Sequence, residues 1–177
     1  MNQIERVASN TPWEPIFGYV RKVKAGNWLA ISGTTATDDR GMIVGGGQMY
    51  VQARQALLNL KHHIESAGFS LSNLVRTRVF VTDISRFGEV ARAHQEVFGE
   101  HPPASTLVEV RRLVHPDMLI EIEADVFGGD GISAPSMERQ RPVEKKQTAA
   151  ASKPAPRAMV KAKVAPKKNP SKPGRKK

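Results

Sequence analysis

Three carboxylates alternate with apolar residues in the segment IEIEADVF at 120–127: Glu121, Glu123 and Asp125. Strict alternation predicts a β-strand with the carboxylates on one face and the apolar side chains on the other. Such a row has two interpretations, a solvated sheet face or a chemically active carboxylate held in a cleft. Because Glu121 and Glu123 share one strand face, they cannot flank a substrate from opposite sides as a glycosidase pair does.

Other residue types that could do chemistry form weaker patterns. Cysteine is absent, which excludes disulfides, thiolate nucleophiles and zinc–thiolate sites. His62 and His63 are adjacent on a predicted helix, about 100° apart around its axis, so they cannot both ligate one metal from that helix. His94 falls on an apolar helical stripe, which is typical of a satisfied core or interface histidine. Gly45, Gly46 and Gly47 lack the Gly-Lys-Ser/Thr ending of a phosphate loop. We expect neither a metal nor a cofactor.

Charge divides the chain into two parts. Residues 1–130 contain 13 Lys and Arg against 15 Asp and Glu, whereas residues 131–177 contain 14 against 2. The second part is rich in Lys, Pro and Ala and has few large apolar side chains, so we predict a domain at 1–130 and a disordered basic tail at 131–177. The N-terminus has no apolar signal segment, and no apolar run is long enough to span a bilayer, so we expect a cytoplasmic protein without a membrane span.

Hydrophobic periodicity predicts the elements that position the carboxylates. After a polar arm at 1–12, strands are expected at 18–24, 28–32 and 42–44, followed by an amphipathic helix at 48–67. A strand at 75–82, a helix that ends at Gly99, and strands at 106–110 and 118–127 complete the order. This order predicts an α+β fold, with one sheet and both helices on one face. Aliphatic residues on both faces of 28–32 indicate that another subunit covers the second face.

The sequence resembles the Rid family, also called YjgF/YER057c/UK114, many of whose members are imine and enamine deaminases. The matching blocks are GYVRKV at 18–23, AGNWLAISGTT at 25–35, QARQALLNLKHHIESAG at 52–68, LVRTRVFVTDI at 74–84, PPAS at 102–105 and IEIEADV at 120–126. The resemblance implies a chorismate-mutase-like fold and a homotrimer with small-molecule clefts between subunits.

The resemblance also implies roles for individual residues. Glu121 would position the water that attacks a C=N carbon, while Tyr19, Ser32 and Gly33 would line the pocket. Deaminating members place a carboxylate-binding arginine after a Pro-Ala pair, but here Ser105 follows Pro103-Ala104. The chain therefore resembles a subtype without that arginine, and a neutral or cationic ligand would suit the pocket better than the usual 2-iminoacid.

Three arginines could in principle replace the missing one: Arg21, Arg111 and Arg112. For each of them, a surface salt-bridge partner is the preferred interpretation.

Three functions follow as alternatives. The first is an imine or enamine deaminase, or a ligand binder, with a site between subunits. The second is a nucleic-acid-associated protein, either endoribonuclease-like or bound to DNA or RNA without sequence specificity through residues 131–177. The third is a non-catalytic, chaperone-like trimer.

Overall fold

Six strands form one sheet in the computed structural model, which describes residues 4–9 and 11–128. In chain order they are β1 (Ile4–Val7), β2 (Lys22–Ala25), β3 (Trp28–Thr34), β4 (Leu74–Val81), β5 (Ala104–Glu109) and β6 (Ile120–Phe127). They lie side by side in the order β1-β2-β3-β6-β4-β5. All neighbouring pairs are antiparallel except β4 and β5, which are parallel. The prediction of one mostly antiparallel sheet is confirmed.

Two long helices pack on one face of this sheet, as predicted. A short helix α1 (Trp13–Phe17) precedes β2, and the long helices are α2 (Met49–Glu65) and α3 (Phe87–Phe98). The core between helices and sheet consists of apolar residues from β3, β4, β6 and both long helices. Its largest fully buried members include Phe98, Leu29, Met49, Leu57, Leu60, Ile64, Ile120 and Ile122.

The C-terminal end of α2 is fixed to β2 by two lysines. Lys22 Nζ donates to the carbonyl of His63 at 3.3 Å and to Ser66 Oγ at 2.7 Å. Lys24 Nζ donates to the carbonyl of Ala67 at 3.3 Å. Both cations therefore satisfy polar groups at the negative end of the helix dipole, which offsets the cost of burying Lys22.

Three predicted elements at the N-terminal side were wrong. The arm at 1–12 contains β1, which pairs with β2 and forms one edge of the sheet. The strand predicted at 18–24 begins only at Lys22, because α1 occupies the preceding segment and ends at Gly18 in a left-handed conformation (φ 76°). The strand predicted at 42–44 is reduced to a single bridge between Thr37 and Ile43.

The predicted tail at 131–177 and the domain boundary at 130 lie outside the described residues, so both stay predictions. Among the residues that are described, no helix is long and apolar enough to cross a membrane.

Candidate functional site

Glu121 lies on the sheet face opposite the helices and packs against Gly33. The carboxylate occupies the space that a side chain at position 33 would need: a Cβ built on Gly33 would lie 2.7 Å from Glu121 Cδ and 3.0 Å from Cγ. Burial raises the pKa of Glu121, Arg21 opposes this shift, and Glu123 reinforces it. The result is a half-buried carboxylate that is a stronger base than one exposed to water.

A β-bulge shapes this part of β3. The pairing of β3 with β6 shifts register between Ile31 and Thr34, so Ser32 and Gly33 lie in the irregular segment. Ser32 Oγ donates to the carbonyl of Val20 at 2.8 Å, which uses its only hydrogen. Toward a ligand, the Ser32 hydroxyl can therefore act only as a hydrogen-bond acceptor. The place of Ser32 in a substrate pocket stays a prediction.

Arg21 is enclosed by hydrogen-bond acceptors from three segments. One terminal nitrogen donates to the carbonyl oxygens of Ser32 at 3.4 Å and Gly33 at 2.5 Å. The other donates to Tyr19 Oη at 3.5 Å, and Nε donates to Ser9 Oγ at 3.3 Å. Arg21 is only 8% exposed, so its interpretation as a surface salt-bridge partner was wrong.

These contacts also exclude Arg21 as the anchor for a substrate carboxylate. A bidentate carboxylate needs two free, parallel N–H groups, and the five N–H groups of Arg21 already make four hydrogen bonds within the chain. Arg111 and Arg112 are exposed, which agrees with their interpretation as surface residues.

Tyr19 extends the cluster toward α1. Its ring lies edge-on to Phe17, with the centroids 6.1 Å apart, and Arg21 Cζ lies 5.8 Å from the centroid of Tyr19. Phe17 itself is 84% exposed. The half-buried tyrosine thus lies between a buried cation and an exposed aromatic side chain.

Ser105 lies on the opposite sheet face from Glu121. It is in register with Thr77 of β4, and Thr77 Oγ1 donates to Ser105 Oγ at 2.9 Å. Thr77 is fully buried on the helix side, whereas Glu121 is in register with Phe80, three residues further along β4. Because side chains alternate along a strand, one chain does not bring Ser105 and Glu121 together.

Glu123 and Asp125 have a structural partner. Arg78 of β4 forms ion pairs with Glu123 Oε1 at 2.8 Å and with Asp125 Oδ2 at 3.4 Å. Arg78 therefore compensates the charge of both carboxylates on the sheet face that also carries Glu121.

The histidines have different surroundings. Burial, followed by the charges of Arg21 and Lys22, lowers the pKa of His63 to about 4. Nε2 of His94 is buried without a hydrogen-bond partner among the described residues, so its interpretation as a satisfied core or interface histidine stays a prediction. Its ring packs edge-on against Phe98 with centroids 5.0 Å apart. Across residues 4–9 and 11–128, no group of three or more His, Asp or Glu could hold a metal ion.

Two contributors to the site were missed or undervalued in the sequence. Thr77 interrupts the apolar face of a buried strand, and a lone hydroxyl there signals a specific hydrogen-bond partner. Arg21 was considered only as a substitute anchor, because the sequence did not predict the contact between its guanidinium and Ser9, which lies just after β1.

Comparisons with known proteins identify the family. The family model described as Endoribonuclease L-PSP matches residues 9–127. A RutC family protein of Pyrococcus horikoshii is 40% identical over 118 residues, which cover 67% of this chain and 92% of that protein. A 2-iminobutanoate/2-iminopropanoate deaminase of Salmonella typhimurium is 38% identical and covers 60% of this chain and 84% of its own length.

Solved structures give the same result. The crystal structure of Rv2704 from Mycobacterium tuberculosis, described as a member of the YjgF/YER057c/UK114 family, superposes with a TM-score of 0.64 at 36% identity, covering 71% of this chain and all of that one. The chain belongs to the Rid family, YjgF/YER057c/UK114.

Proposed function

We propose that this protein hydrolyses the C=N bond of a small imine, or of the imine tautomer of an enamine, at a site between the subunits of a homotrimer. The observation that carries the proposal is the position of Glu121, whose half-buried carboxylate lies over Gly33 and has its pKa raised by burial. Relatives support the reaction class, since one from Salmonella typhimurium is named a 2-iminobutanoate/2-iminopropanoate deaminase and one from Acinetobacter baylyi a 3-aminoacrylate deaminase.

Glu121 acts as the general base toward water. Its carboxylate accepts a proton from water while the water oxygen forms a bond to the imine carbon, and it returns this proton to the nitrogen, which gives a carbinolamine. Glu121 then takes the hydroxyl proton of the carbinolamine and passes it to the nitrogen. The C–N bond breaks, ammonia leaves, and the carbonyl forms. A raised pKa helps this step because a carboxylate is most effective as a base when its pKa lies near the working pH.

Ser105 makes the site selective for a substrate without a carboxylate at the anchor position. Its hydroxyl accepts a hydrogen bond from Thr77, which leaves its own hydrogen free for a ligand acceptor. It supplies no charge, and leaving a buried carboxylate unpaired costs several kcal/mol, about 3–5 when one partner of a buried pair is removed. A neutral amide or carbonyl group fits this anchor better.

Trimerisation is the arrangement that allows Ser105 and Glu121 to serve one site. They lie on opposite faces of the sheet in a single chain. The face opposite the helices also carries half-buried and exposed apolar side chains, including Trp28, Val108 and Phe127. A second copy packed on this face would bury them and could bring its own Ser105 toward Glu121.

A matched pair of substrates tests the proposal. 2-Aminoacrylate and its neutral amide differ only in the carboxyl group, and ammonia release can be followed for both after subtraction of spontaneous hydrolysis. We expect wild type to favour the amide, and Ser105→Arg to shift the preference toward 2-aminoacrylate. Equal or faster turnover of 2-aminoacrylate by wild type would show that Ser105 does not set the specificity.

Mixed oligomers test the shared site. Glu121→Gln and Ser105→Trp are each expected to be inactive, since one removes the base and the other fills the anchor position. If each site takes one residue from each of two subunits, mixing after co-refolding restores part of the activity. If verified mixed oligomers regain no activity, Glu121 and Ser105 do not form one site from two different subunits.

A second function is favoured by the charge of residues 131–177, which contain 14 Lys and Arg against 2 Asp and Glu. We propose that this segment binds DNA or RNA without sequence specificity, and three copies in a trimer would add avidity. Binding should weaken steeply between about 50 and 200 mM salt. A chain ending at residue 130 should not bind, and binding that survives this deletion would exclude the segment as its source.

A further inference from the structure

The position of the Glu121 carboxylate depends on the bulge in β3. Gly33 leaves the space that the carboxylate fills, so any movement of the Ser32–Gly33 segment changes that space. The carbonyl oxygens of Ser32 and Gly33 both accept hydrogen bonds from one terminal nitrogen of Arg21. The bulge is therefore held from the side of β2 by a cation.

That cation is itself fixed at its other donors. Nε of Arg21 donates to Ser9 Oγ, and the second terminal nitrogen donates to Tyr19 Oη. Ser9 is in turn held by Glu14, which accepts from Ser9 Oγ at 2.7 Å and from Ser9 N at 2.9 Å. Because a buried guanidinium is stable only when its donors are satisfied, these contacts leave Arg21 one orientation.

We propose that Arg21 is a positioning residue that fixes the bulge carbonyls of Ser32 and Gly33 and thereby holds the Glu121 carboxylate over Gly33. In this role Arg21 acts through the bulge rather than on the substrate, since each of its three guanidinium nitrogens donates to an acceptor of the protein. Its charge also favours the ionised form of Glu121, which is the form a general base requires. The inference rests on the proposed function only for what Glu121 does afterwards.

Among the described residues, the charged groups close to this pair include Glu14, the buried carboxylate that binds Ser9. Glu121 faces Gly33 of β3 and Phe80 of β4, which are uncharged, and Glu123 is the next carboxylate on its own strand face. Arg21 in addition lies within electrostatic range of His63 of α2. The titration of Glu121 must therefore be distinguished from that of His63.

The first experiment measures the pKa of Glu121 by NMR in the full chain labelled with ¹³C at the glutamate carboxyl groups. We expect Arg21→Gln to raise this pKa by about one unit, because the favourable charge is lost. Arg21→Lys should raise it less, since it keeps the charge but cannot bridge the same acceptors. Arg78→Gln is the matched control: it removes a cation from the same sheet face that pairs with Glu123, and it should leave the pKa of Glu121 close to its wild-type value. An unchanged Glu121 titration in folded Arg21→Gln would overturn the proposal.

The second experiment uses no variant of Arg21, so it does not depend on whether such variants fold. In wild type, the ¹⁵N signals of the Arg21 guanidinium should shift with the same midpoint as Glu121. This response should vanish in Glu121→Gln, while any shift caused by His63 remains near pH 4. If the ¹⁵N signals of Arg21 do not change as Glu121 titrates, the proposed interaction between Arg21 and Glu121 is contradicted. Neither experiment uses a substrate, so an absence of hydrolysis would refute the proposed function without altering these results.

Discussion

Replacing Gly33 with alanine is the smallest change that tests whether the Glu121 carboxylate lies over Gly33. The new Cβ would overlap Oε1 of Glu121 and lie 2.7 Å from Cδ and 3.0 Å from Cγ. Gly33 does not have a positive φ, so alanine is compatible with its backbone. The three closest new contacts are therefore all with the glutamate side chain, and the carboxylate must leave its position over the bulge.

The cost follows from the atoms involved. Adding a methyl group to a packed site costs about 1–3 kcal/mol when neighbouring atoms cannot move away. Glu121 is half-buried and can rotate toward the open side of the sheet, so we expect about 1–2 kcal/mol of lost stability. The loss of turnover should be larger than the loss of stability suggests, because the displaced carboxylate no longer reaches the attacking water.

A double-mutant cycle measured by urea denaturation isolates this clash. In a Glu121→Ala background the overlapping atoms are absent, so Gly33→Ala should cost less than about 0.5 kcal/mol and the coupling should be about 1 kcal/mol or more. Gly47→Ala is the control, since a Cβ at Gly47 meets nothing within 4 Å. If Gly33→Ala costs the same in both backgrounds, the carboxylate does not occupy the space over Gly33.

Two further predictions concern residues outside this contact. The pKa of His63 is lowered to about 4 in the folded protein, so on acidification the unfolded chain takes up this proton at a higher pH than the folded chain does. The free energy of unfolding should therefore fall by about 2 kcal/mol as the pH drops from about 6.5 toward 4. The free energy of unfolding, measured by denaturation at pH 7 and pH 4.5, should fall less in His63→Gln than in wild type. In exposed His62→Gln it should fall as much as in wild type. If both variants lose as much stability as each other, His63 is not the source of the pH dependence. Thr77→Val removes the hydrogen bond to Ser105 but leaves an apolar group in an apolar site, so stability should change by less than about 0.5 kcal/mol while KM for the neutral amide rises about fivefold. Thr106→Val, in the same strand as Ser105, serves as its control, and an unchanged KM for Thr77→Val would remove Thr77 from the site.

Elements with strong periodicity were predictable from the sequence. The strand carrying Glu121 alternates over eight residues, and the structure places β6 at Ile120–Phe127. The stripe of α2 and the glycine at 68, which adopts a φ of 83°, mark that helix and its end. These patterns record burial on one face, which is a local property of the sequence.

The remaining features depend on contacts between distant segments. β1 has only four residues and is mostly exposed, and its pairing with β2 is what makes it a strand. The two strands after Pro103 do not pair with each other: β5 lies at the sheet edge beside β4, and β6 lies between β3 and β4. The burial of Arg21 depends on the same long-range arrangement, which no local pattern specifies.

The central claim is that Glu121, and not its neighbour on the same strand face, performs the hydrolysis. The most direct measurement is kcat for ammonia release from the neutral amide of 2-aminoacrylate by Glu121→Gln and Glu123→Gln, with folding verified for both. We expect kcat to fall by about 10²–10⁴-fold for Glu121→Gln and by less than tenfold for Glu123→Gln, whose side chain pairs with Arg78. Full activity of Glu121→Gln, or an inert wild type, would contradict the account.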